Sequence, residues 1–117
     1  MKVLIIINDA PYGTEKAYNA LRLTMNIQKE GSDTQVDLFL MADAVGCGLP
    51  NQITPSGYYN IERMMNSVIN KGAQVKACGS CIDARGLSEI KLIEGIYRSN
   101  MKELTEITLG AYKVITF

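Results

Sequence analysis

Apolar residues fall along this chain in two patterns, unbroken short runs and helical stripes. Val3-Leu4-Ile5-Ile6-Ile7 is continuous and rich in β-branched residues, the pattern of a strand covered on both faces. Asn8-Asp9-Ala10-Pro11-Tyr12-Gly13 reads as a turn. Thr14 is placed to cap a helix over about 14–30, with Ala17, Ala20, Leu21, Met25 and Ile27 on its apolar side and Gly31 as the stop. Val36 to Met41 is a second strand, strongly apolar after Asp37. Residues 46–57 hold two prolines and three glycines, so regular structure is not expected there, and they read as the only long loop.

The clearest helix spans about 58–71. Ile61, Met64, Met65, Val68 and Ile69 lie at i, i+3, i+4, i+7 and i+8, a core stripe that ends at Gly72. Residues 73–77 form a short strand that delivers Cys78 at its carboxyl end, and 79–85 can close a helical turn. A short strand is expected near 93–97. Asn100 with Glu103 three residues on is a capping-box start for a helix at about 101–110, buried through Leu104, Ile107, Thr108 and Ala111. Val114-Ile115-Thr116-Phe117 closes as a strand. Strands and helices alternating at this spacing predict an α/β sandwich on a mostly parallel sheet.

At 117 residues the chain fits one domain, large enough to bury a core without staples. Twelve basic and twelve acidic residues give a net charge of zero, which argues against nucleic acid as a partner. No apolar stretch approaches the ~20 residues of a membrane span, and no signal peptide is visible, so no membrane association is expected. Three cysteines are too few for a disulfide framework, and a cytoplasmic protein with reduced thiols is the expectation.

The chain has no histidine, so chemistry near neutral pH falls to thiols or to strongly shifted carboxylates and lysines. Cys78-Gly79-Ser80-Cys81, between a short apolar run and a glycine-bearing turn, is therefore the first candidate. A thiolate at a helix start faces unpaired N–H groups and the positive end of the dipole, and Gly79 lets such donors approach. Arg85 can add positive potential. If the two thiols lie one helical turn apart, a Cα separation near ~5–6 Å would permit a disulfide.

Inert packing is the competing reading of these cysteines, because free cysteine is often simply buried. A C-x-x-C pair also fits a redox dithiol, half a metal site, or a nucleophile with a resolving thiol. Structural zinc wants four N/S ligands, and three cysteines without histidine do not supply them, so no metal and no cofactor are expected. The pair resembles the thioredoxin frame, yet Pro11, Pro50 and Pro55 all precede it, and no proline follows. No glycine-rich phosphate loop is present.

Ligands in open parallel sheets collect beyond the carboxyl ends of the strands, where strand order reverses. With the first strand central, the strands ending before Asn8 and at Cys78 would flank that reversal. The Asn8–Gly13 turn, the Asp43–Gly48 turn and Cys78 would then share one rim.

Asn8 to Gly13, Leu38 to Val45, Gly57 to Ile61 and Val75 to Gly86, through the closing Ala111 to Phe117, resemble the DsrE/DsrF-like family in its YchN-like branch. The resemblance runs from end to end. It implies a single three-layer α/β/α domain over residues 1–117 with about five strands, assembly into trimers or hexamers, and a sulfur-handling cysteine. Relay members of the family carry a persulfide on a cysteine after the third strand, a position that matches Cys78. They generally lack the second thiol, so Cys81 departs from that pattern. The resulting expectation is a sulfur-carrier or sulfurtransferase-like protein that takes sulfane sulfur on Cys78 from a donor protein and passes it to an acceptor. Cys81 would be the second catalytic thiol, with Tyr12, Gly13, Asp43, Gly79 and Arg85 lining the site. The alternatives are a dithiol redox protein using Cys78 and Cys81, or a non-enzymatic oligomeric module that binds a small ligand.

Overall fold

The computed structural model describes residues Met1–Phe117. Five strands, β1 (Lys2–Ile7), β2 (Gln35–Leu40), β3 (Gln74–Cys78), β4 (Ile96–Ser99) and β5 (Lys113–Thr116), form one sheet in the order β4-β3-β2-β1-β5. Every neighbouring pair is parallel. Four helices connect them: α1 (Lys16–Glu30), α2 (Ile61–Asn70), α3 (Gly79–Ala84) and α4 (Met101–Gly110). This is the α/β architecture expected, with the sheet parallel throughout.

From β1 to β4 the chain steps across the sheet in one direction, so right-handed crossovers place α1, α2 and α3 on one face. The return from β4 to β5 runs the other way and carries α4 over the opposite face. Lys76 of β3 marks that second face, since its Nζ meets Glu103 of α4 at 2.7 Å. Val75 and Ala77 alternate to the first face, in register with Leu38 and Leu40 of β2 and, through β2, with Ile5 and Ile7 of β1. These residues and Leu21, Ile61, Met65 and Val68 are buried in one contiguous core.

The strand order corrects the expected position of the reversal. It lies between β1 and β5, whereas β2 separates β1 from β3. The loops still share a rim for a simpler reason: five parallel strands point all their carboxyl ends the same way.

Several boundaries also move. The first helix starts at Lys16 rather than Thr14, because the Thr14 hydroxyl donates to Asp9 Oδ2 at 3.0 Å in the preceding turn. The second begins at Ile61, because Asn60 Oδ1 accepts from Arg63 N and fixes the cap there, leaving Tyr58 and Tyr59 outside. Residues Ala42–Gly48 wind into a 3-10 helix that buries Ala44, Val45, Cys47 and Gly48, so the long loop starts after it. A second irregular stretch, 85–95, precedes β4. β4 starts at Ile96 rather than 93 because Gly95 has φ +96° and sits so close to Ile69 that a Cβ would come within 2.8 Å. Ile93 N instead ties that stretch to Gly48 O at 2.8 Å.

Asn100 caps α4 as expected, its Oδ1 accepting from Glu103 N at 2.9 Å. The Glu103 carboxylate does not return to the cap. It takes Lys76 and the Ser99 hydroxyl, which hold it below the usual carboxylate range. Replacing Asn100 by alanine is expected to lower stability by about 1 kcal/mol, with aspartate largely restoring it. Thermal or urea unfolding of the two variants checks this.

Candidate functional site

Cys78 is both the last residue of β3 and the N-cap of α3. With φ −61° and ψ 118° it keeps extended backbone geometry while the following residues turn into helix. The residue is only 6% exposed, so its charge state is decided by what touches the sulfur. Burial pushes the thiol up. Hydrogen bonds from the Ser80 side chain, the Cys81 side chain and the Cys81 and Ser80 main-chain N–H groups outweigh it, and the net shift is below the ordinary thiol value. Ser80 Oγ lies 3.3 Å from Cys78 Sγ.

Cys81 is shifted the opposite way. Donating to Cys78 holds its proton in place, burial adds to this, and the Ala42 N–H opposes both. That N–H points at Cys81 Sγ from 3.2 Å. The two thiols are therefore biased in opposite directions: the surroundings of Cys78 favour its thiolate, and those of Cys81 favour its protonated form. Both are free thiols.

Ala42 makes its bond from an unusual backbone position, φ +50°. An L residue there pays roughly 1 kcal/mol in steric strain. Nothing in the sequence marks it, since alanine carries no left-handed preference.

The 3-10 helix and α3 are also clamped by Arg85 and Asp43. Arg85 Nε donates to Asp43 Oδ1 at 2.9 Å, and Nη1 donates to the Cys81 carbonyl at 3.1 Å. Arg85 thus meets Asp43 and braces the turn that carries Cys81. Gly79, buried at the start of α3, lies under Arg98 of β4: a Cβ there would meet the guanidinium Nε at 2.8 Å. Arg98 was not legible as a site residue. Only the register that pairs Ala77 with Arg98 brings it beside Cys78.

Tyr12 and Gly13 stand apart from the thiols. The Tyr12 hydroxyl accepts from Ile61 N at 3.0 Å, and its ring packs against Tyr58 and Tyr59. Tyr59 also stacks on Tyr18, with ring centroids 4.3 Å apart. Gly13 has φ +108°, a left-handed turn position that glycine occupies without strain. The Asn8–Gly13 turn reaches the 3-10 helix through Cys47, whose Sγ lies 3.9 Å from Asp9 O. Cys47 is fully buried, and burial pushes its thiol up to about 12.

With this geometry established, likeness to known proteins becomes informative. The DsrE/DsrF-like family profile matches residues 1–117. The chain belongs to that family. It is 41% identical over 116 residues to Protein YchN of Escherichia coli strain K12, covering 99% of this chain and 98% of that one. It is 39% identical over 117 residues to the uncharacterized protein MJ0989 of Methanocaldococcus jannaschii, covering both chains fully (100%). The crystal structure of ychN protein from E. coli superposes with a TM-score of 0.93 over 99% of this chain and 98% of that one. MTH1491 of Methanobacterium thermoautotrophicum, a protein of unknown function 15% identical, shares the fold at a TM-score of 0.73 over 99% of this chain and 98% of its own. The DsrE-like family is associated with sulfur relay in general. No helix is long and apolar enough to cross a membrane.

Two outcomes follow. Alkylation of Cys78 by iodoacetamide should persist to lower pH than for an ordinary thiol, and Ser80→Ala should move its midpoint up and slow labelling at neutral pH. Peptide mapping of labelling against pH reads both. Cys47 has the opposite linkage. Its neutral form is favoured in the fold, so its contribution is complete below the unfolded value of 9.0 and is lost as pH rises towards about 12. Unfolding free energy measured across that window should fall less steeply for Cys47→Ala than for the parent chain.

Proposed function

We propose that this protein is a sulfur carrier of the sulfurtransferase type, with Cys78 as the atom that holds sulfane sulfur. What carries the reading is the opposite shift of two adjacent thiols. Hydroxyl, thiol and amide donors favour the thiolate form of Cys78, while the surroundings of Cys81 favour its protonated form. Only a thiolate attacks sulfane sulfur, and the persulfide anion that results needs the same donors. The step balances without an added oxidant. The Cys78 thiolate attacks the terminal sulfur of the donor, an S–S bond forms, the donor's own bond to that sulfur breaks, and its electron pair leaves with the donor residue. Transfer to an acceptor thiolate reverses the process and restores Cys78.

Cys81 serves as second thiol, donating to the charged sulfur and able to resolve a persulfide. Asp43, Arg85 and Gly79 shape the turn that presents the pair. Tyr12 and Gly13 contribute through the neighbouring loop. The acting species is a cytoplasmic homo-oligomer, a trimer or hexamer, that meets separate donor and acceptor proteins. Exposed Tyr97 of β4, Met101 and Leu109 of α4, Tyr112 just before β5 and Val114 of β5 support an assembly of that kind.

A dithiol redox role is the second reading, favoured by the contact between Cys78 and Cys81. The two separate on one variant. On exposure to inorganic polysulfide, mass spectrometry should find one reductant-labile sulfur on Cys78 in the parent chain and in Cys81→Ser, and none in Cys78→Ser. Absence of the adduct from the parent, under conditions that load an established carrier, rejects the carrier role. A reversible Cys78–Cys81 disulfide whose turnover vanishes in Cys81→Ser would establish the redox role instead.

A further inference from the structure

An open depression of about 430 Å³ is lined by Gly79, Ser80, Arg98, Ser99, Asn100 and Met101, and Ser80 connects it to Cys78, its Oγ lying 3.3 Å from the sulfur. Every one of these residues but Met101 and Gly79 offers a polar side chain. Arg98 is the only charged one. Its position is fixed from two sides. Nη1 and Nη2 donate to Asp83 Oδ1 and Oδ2 at 2.7 and 2.6 Å, a planar two-point pair. Nε and Cζ rest against Gly79, where a Cβ would come within 2.8 and 2.9 Å. Glycine at 79 is thus what allows the guanidinium to sit next to the reactive turn.

Asp83 occupies one hydrogen on each terminal nitrogen. A guanidinium carries five, so the Nε–H and the outer hydrogen of each terminal nitrogen remain for another acceptor. The side chain is half exposed, and no other partner is bonded to it. Arg98 also feels the charge of Cys78, which favours its cationic form. A guanidinium on the strand next to Cys78, with free planar donors facing an open depression, suits an oxyanion better than a neutral or cationic group.

We propose that Arg98 selects anionic sulfane-sulfur donors, binding the oxyanion group of a small donor such as a thiosulfonate while Cys78 attacks its outer sulfur. This inference rests on the carrier reading above and deepens it by naming the donor's charge class. With thiosulfate the step is balanced: the Cys78 thiolate forms a bond to the sulfane sulfur, the S–S bond of thiosulfate breaks, and sulfite leaves with that bond's electron pair. Total charge is the same on both sides, and no redox partner is consumed. Arg98 would donate its remaining N–H groups to the oxygens of the incoming dianion and of the departing sulfite. The Asn100 side-chain amide offers a further donor along the same wall, its Oδ1 alone being taken by Glu103 N.

The test compares two reagents on one sulfur. Second-order rates of Cys78 loading by thiosulfate and of its alkylation by neutral iodoacetamide are measured for the parent chain, Arg98→Gln and Arg98→Lys. The ratio of the thiosulfate rate to the iodoacetamide rate should drop at least about tenfold in Arg98→Gln, the effect of losing a charged hydrogen-bond donor. It should drop less in Arg98→Lys, which keeps the charge without the planar fork and serves as the reporter if the glutamine variant does not fold. An unchanged ratio in the folded variants overturns the proposal, because Arg98 would then act only through the thiolate population. A parent chain that loads from polysulfide and not from thiosulfate also overturns it, leaving the carrier reading intact. Failure to load from polysulfide as well marks the failure of the carrier reading itself.

Discussion

A sulfur that is almost enclosed keeps a negative charge only if hydrogen bonds replace the water it has lost. That contest between burial and donors at Cys78 is the condition on which the site depends. Desolvation alone would leave a neutral, inert packing residue, which is the state of Cys47 a short distance along the same rim. The two thiols differ in depth, Cys47 lying deeper in the fold, and in the donors that reach them. Cys78 ends a strand at the first turn of a helix, where Ser80 and Cys81 present donors to it. Cys47 sits inside the 3-10 helix among apolar neighbours, where its own main-chain N–H is too little to offset burial and the Asp9 carbonyl lies 3.9 Å from its sulfur.

The sheet supplies the rest of the condition. Parallel pairing sends the carboxyl ends of β1, β2 and β3 to one edge, so the segments after them meet there. The segment after β2 brings Ala42 to Cys81 and Asp43 to Arg85. The segment after β3 brings both thiols, and β4 brings Arg98 over Gly79. Three separate stretches of chain thereby fix a single short turn. Below it, Ser99, Glu103 and Lys76 form a polar chain that anchors α4 to the other face, so both layers lock to the end of β3.

Much of this frame was readable from residue pattern. β1 and the Leu38–Leu40 part of β2 are continuous apolar runs because they are covered on both faces, and the Ile61–Ile69 stripe is one buried side of a helix. Asn100 announced the start of α4 by chemistry alone. The features that residue order does not reveal depend on contacts that form only in the fold. Thr14 looks like a cap, but its hydroxyl is engaged by Asp9. The start of β4 moved because Gly95 faces Ile69, a contact between residues far apart in sequence. The reversal was misplaced because an alternating pattern gives the strands without their lateral order. Cys78 and Cys81 stood out by residue type, and Asp43 and Arg85 by position. Ala42, Ser80 and Arg98 acquire meaning only through contacts with the thiols and their turn.

The donors that face the two sulfurs include three main-chain amides, of Ala42, Ser80 and Cys81. An amide N–H belongs to every residue except proline, so exchanging the side chains at positions 42 and 80 leaves those three contacts available. Divergence can then rework the surroundings, with glycine or asparagine accommodated at position 42 more easily than a β-branched residue. The main-chain part of this cradle is buffered against drift, whereas the Ser80 hydroxyl and the Cys81 thiol are not. Homologues can therefore alter their partners while inheriting the same reactive centre.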